Sequence, residues 1–84
     1  MKKIDSTILN QMIDSDEIFI IYNTHGYGVY LVCSVLTNHS MSIDDCIDLC
    51  GVDMDAEAER LDWDGWDYDE LEMIYNVNDI KNLI

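Results

Sequence analysis

Proline is absent from this chain, and lysine and arginine together supply only four of its 84 residues. Without proline, and with little low-complexity sequence, nothing forces an extended linker, so one ordered domain is expected over residues 1–84. The scarcity of bases argues against direct binding to nucleic acid or to an anionic membrane, because phosphates would meet net negative charge. No apolar run is long enough to span a bilayer. Met1-Lys2-Lys3-Ile4-Asp5 places an acid where a secretory leader would begin its apolar stretch. Three cysteines, an odd number without an export signal, point to reduced thiols and a cytoplasmic setting. Phosphate loops, G-x-S-x-G and glycine-rich nucleotide fingerprints are all missing, so no enzyme activity, catalytic residue or cofactor is expected.

What the chain does hold is acid. Eighteen acids give a formal net charge of −14, yet hydrophobic residues make up 49%, the usual share for a folded chain. The charge is uneven. Residues 1–40 carry Asp5, Asp14, Asp16 and Glu17 against Lys2 and Lys3, and all the other acids follow, opposed only by Arg60 and Lys81.

Local patterns predict an α+β fold: an N-terminal helix, a β-hairpin, then two or three helices carrying an acidic face. Asp5 can cap a helix over Ser6–Ile13, with Ile4 and Leu9 at the spacing of a hydrophobic staple. Glu17–Asn23 and Gly28–Leu36 read as strands around the glycine-bearing turn Thr24–Gly28. In the second strand, simple alternation sets Val29, Leu31, Cys33 and Val35 against Tyr30, Val32 and Leu36. Such a ribbon is apolar on both faces and needs a cover on each, for which helices and a second copy of the chain are the two candidates. Ser42 can cap a helix over Ile43–Cys50 that Gly51 stops, and Asp53 or Asp55 can cap another from Ala56 to about Leu61. Leu71, Met73, Ile74, Val77, Ile80 and Ile84 then suggest a last helix from about Asp67, kinked near Asn76–Asn78.

Two metal readings fail on spacing. An EF-hand aligned on Gly65 puts Arg60 and Leu71 at its two end-ligand positions. Cys46 and Cys50, four apart, share a helix face with Ile43 and Ile47 and read as core. Without a paired CxxC, zinc ligation by them with Cys33, His25 or His39 has no support, and both histidines read as surface residues.

The densest acid lies between Asp53 and Glu72, with Trp63, Trp66 and Tyr68 inside it and Arg60 as its single base. If mostly helical, that stretch would be about 30 Å long at ~1.5 Å per residue, with its carboxylates spaced much as phosphates are along a DNA strand. Crowding of this kind costs stability through like-charge repulsion, so salt should stabilise the fold. A surface shaped only for solubility would mix both signs.

In this run, LDWDGWDYDELE on a short proline-free chain, the sequence resembles the small acidic phage-encoded inhibitors that imitate DNA, as among anti-CRISPR, antirestriction and DNA-glycosylase-inhibitor proteins. The likeness is one of type and covers about a quarter of the chain. It implies a viral counter-defence protein in the host cytoplasm that fills the basic nucleic-acid groove of a nuclease or CRISPR effector. On that reading Asp62, Asp64, Asp67, Asp69, Glu70 and Glu72 stand in for phosphates. Trp63 and Trp66 add apolar contact, and Asp53, Asp55, Glu57 and Glu59 extend the charged face. Two alternatives share the composition: an immunity protein or antitoxin neutralising a basic toxin, and an acidic adaptor that assembles, or dimerises, through its apolar hairpin.

Overall fold

The computed structural model describes residues 1–36 and 41–83; the expectations made for His39 and Ile84 lie outside them. The first helix, α1, runs Ser6–Ile13, and the Ile8 N–H donates to Asp5 Oδ1 at 2.9 Å. Before it, Lys2–Lys3 form a short strand, β1, that periodicity did not reveal. The hairpin is β2 (Ile18–Asn23) and β3 (Val29–Val35). Ser42 caps α2 (Ile43–Cys50), accepting the Asp45 N–H, and Gly51 ends it in the left-handed region at φ 70°. Asp53 caps α3 (Met54–Arg60) through the Ala56 N–H.

Beyond α3 the expected long helix does not form. A 3-10 turn over Tyr68–Glu70 leads into a strand, β4 (Leu71–Ile74), and only Asn78–Lys81 are helical, as α4. Leu71 and Ile74 satisfy a helical spacing, but Leu71/Met73 and Glu72/Ile74 also alternate with period two. The edge of β2 decides between them: β4 pairs antiparallel along it, from Phe19↔Ile74 to Tyr22↔Leu71, and satisfies backbone groups of a central strand. The sheet is antiparallel in the order β1-β3-β2-β4.

A bulge corrects the expected facing of β3. Ile20 pairs with Cys33 but Ile21 with Leu31, so Val32 is the extra residue, and Cys33 and Val35 turn to the face of Tyr30. Two cores result, one on each face. Phe19, Ile21, Val29 and Ile74 pack against Met12 of α1 and Ile80 of α4. Ile20, Tyr22, Val35 and Leu71 pack against Cys46 of α2 and Met54 of α3, with Trp63 and Trp66 alongside. Both faces of the hairpin are therefore covered within one chain. Among the described residues no helix is long and apolar enough to cross a membrane.

Candidate acidic interface

The sheet separates charge as well as core. The α1 helix contains no charged residue, and in α4 Asp79 is balanced by Lys81. On the opposite face α2 exposes Asp44, Asp45 and Asp48, and α3 exposes Asp55 and Glu59.

Of the twelve residues expected to form the interface, Asp53, Glu57 and Glu70 are engaged by helix capping or by ion pairs within the chain. Asp53 is exposed but serves as the α3 cap. Glu57 is half-buried and its Oε2 receives both the Met1 ammonium at 2.5 Å and the Arg60 guanidinium. Burial, then the cations Arg60 and Lys2, pull that terminal amine below its usual value. Glu70 is half-buried and pairs with His25 Nε2 at 2.5 Å. Among the described residues, Glu57 is the only carboxylate paired with an ammonium or guanidinium group, and Glu70 the only one paired with an imidazole. Glu72 is set apart: alternation along β4 turns it with Ile74 toward the α1/α4 side, away from Leu71 and Met73.

The remaining residues gather around two recesses. In the first, Asp44 and Asp48 of α2 face Asp53 and Asp55 of α3 across a cavity of about 320 Å³ that also takes in Trp66 and Tyr68. Trp66 Nε1 donates to Asp55 Oδ1 at 2.7 Å, which fixes the indole between the two helices and the 3-10 turn. Desolvation, then the neighbouring Asp44 carboxylate, push the Tyr68 phenol above its usual value. Asp67 caps the 3-10 turn by accepting the Asp69 N–H, and its own N–H donates to the Tyr22 hydroxyl at 2.9 Å. In the second recess Asp62 and Asp64 flank Trp63. Glu59, Asp67 and Asp69 are exposed on the surrounding surface.

The acid is therefore spread over a patch rather than strung along one rod, since α3 spans only about 10 Å of axis. Asp44 and Asp48 lie outside the acidic run as it reads along the chain; only the α2–α3 packing brings them beside Asp55. Cys33, Cys46 and Cys50 are free thiols. Burial, with Cys50 beside it, pushes the Cys33 thiol up to about 12, and burial also raises Cys46, so neither is an activated thiolate. No group of three His, Cys, Asp or Glu among the described residues is arranged to hold a metal ion. Comparison with known proteins returns no match, whether to a protein family, a curated protein or a solved structure.

Proposed function

We propose that the protein is an inhibitor whose acidic α2/α3 face occupies the basic nucleic-acid-binding groove of a nuclease or CRISPR effector and excludes the substrate. One observation carries this reading: exposed carboxylates from α2, α3 and the turn after them share one side of the sheet, and among the described residues no lysine, arginine or histidine pairs with these exposed groups. A basic surface would gain those interactions on docking, and steering by the −14 charge would speed the encounter. Trp66 and Trp63 supply rigid aromatic area within the patch, of the kind that anchors interfaces. An adaptor using the hairpin has less to offer, because Phe19 and Ile21 are buried inside the chain.

The test is competition. Partners captured from the native host should lose bound DNA or RNA when the protein is added, with an affinity that falls steeply with salt. Asp62, Asp64, Asp67 and Asp69 changed together to Asn should keep the fold. Asn caps helices and adopts positive φ as Asp does, and Asp62 sits at φ 61°. That variant should lose inhibition; undiminished inhibition would overturn the proposal.

A further inference from the structure

The second recess has a chemistry of its own. It is a cleft of about 790 Å³ between the hairpin tip and the α3–β4 connection. The Trp63 ring lines it, held 5.2 Å from Tyr22 at 30° and 5.2 Å from Tyr30 edge-on. Both tyrosines are cross-strand partners in the sheet, so these rings sit on rigid elements. The Trp63 backbone N–H donates to the Ala58 carbonyl at 2.9 Å, which fixes the chain at this point.

Tyr27, from the hairpin turn, also lines the cleft. Its position is built by the turn: Tyr27 N–H donates to Thr24 Oγ1 at 2.8 Å, and that hydroxyl donates to the Gly28 carbonyl at 2.7 Å. Tyr27 is nonetheless 83% exposed, so the folded chain makes little packing use of it. Among the described residues, Asp62 and Asp64 rim the cleft with unpaired carboxylates, Glu70 beside them is paired with His25, and no lysine or arginine lines it.

We infer that this cleft receives an arginine side chain of a basic protein partner. Aromatic faces attract cations through the ring quadrupole, and carboxylates at the rim accept N–H bonds. A cation that can do both at once is flat and weakly hydrated. Guanidinium is; a lysine ammonium is compact and strongly hydrated, so it gains less from the rings. The inference rests on the proposed basic partner and adds which of its residues is read.

Hexa-arginine and hexalysine peptides, equal in charge, separate the two ideas when titrated into the whole protein. Tryptophan indole N–H and tyrosine ring NMR signals report the site; Trp66→Phe serves only to assign the indoles. Hexa-arginine should shift the Trp63 indole and the Tyr27 ring, and bind at least about threefold more tightly than hexalysine. Tyr27→Ala, at an exposed position, should leave the melting temperature unchanged and abolish that preference. Asp44→Asn with Asp48→Asn, in the other recess, should weaken both peptides and keep it. Equal affinity for the two peptides, or a preference that survives Tyr27→Ala, would overturn the arginine site while leaving the acidic face standing. Failure of both peptides to bind would overturn both.

Discussion

The two helical layers do the same packing work and differ in charge. On one face of the sheet, α1 and α4 bury Met12 and Ile80 with helices whose side-chain charges sum to zero. On the other, α2 and α3 bury Cys46 and Met54 with helices that carry Asp44, Asp45, Asp48, Asp55, Glu57 and Glu59 against Arg60 alone. Covering this sheet evidently needs no acid. The repulsion in the second layer is thus an expense that folding does not explain, and the proposed binding face would account for it.

The largest expected effect breaks the comparison at its neutral side. Ile21 is fully buried against the α1/α4 layer, and Ile21→Ala should cost about 2–5 kcal/mol in denaturant unfolding. Below its melting temperature the variant should still bind basic peptides with wild-type affinity. A parallel loss of affinity would mean that the neutral layer takes part in binding.

Next comes the acidic side. Asp44→Asn, Asp48→Asn, Asp55→Asn and Glu59→Gln together should weaken binding to a basic partner tenfold or more, with a reduced salt slope and a melting temperature equal or higher. Asp14, Asp16 and Asp79 changed to Asn form the control, since they lie outside the patch. If the control set weakens binding equally, net charge alone matters and the one-sided face is irrelevant.

Local signals were the legible part of the fold. Asp5, Ser42 and Gly51 mark the ends of α1 and α2 because capping is a matter of a few neighbouring residues. The failures all came from distant pairing. β1 is two residues long, the Val32 bulge depends on register with Ile20 and Ile21, and β4 forms because β2 has an edge to fill. The site divides in the same way. That residues 53–72 are acidic and aromatic is plain from the chain, whereas the neutralisation of Glu57 by Met1 and the removal of Glu72 to the far side are consequences of topology. Asp44 joined the patch for the same reason.

The caps allow a finer comparison of the layers. Asp5→Ala and Asp53→Ala should each cost about 1 kcal/mol, because both remove an oxygen that accepts a helix N–H. Changing each to Asn keeps the oxygen and removes only charge. Asp53 stands among Asp48 and Asp55, so Asp53→Asn should be better tolerated than Asp5→Asn by a few tenths of a kcal/mol at low salt. Added salt should close that gap; a gap that is absent or insensitive to salt would mean that the acids of the second layer do not repel one another measurably.

Alkaline pH should produce the smallest difference and place it in the same layer. Cys33, Cys46 and Tyr68 all have folded-state values above their usual ones, and all three lie on the α2/α3 side. For such groups the unfolded chain releases its proton first, so their contribution is intact below about pH 9, the ordinary value for the thiols, and is lost as pH rises toward the Cys33 value of about 12. Cys33 is only half-buried, so solvent screening keeps the loss modest. Amide exchange followed from pH 8 to 10.5, corrected for the intrinsic rate, should show protection falling first in α2 and in the strand opposite it, with α1 lagging. Cys33→Ala should flatten that decline. If α1 loosens first, burial of the thiols is not what makes the acidic layer sensitive to base, and its helices are held by something other than the packing of Cys33 and Cys46.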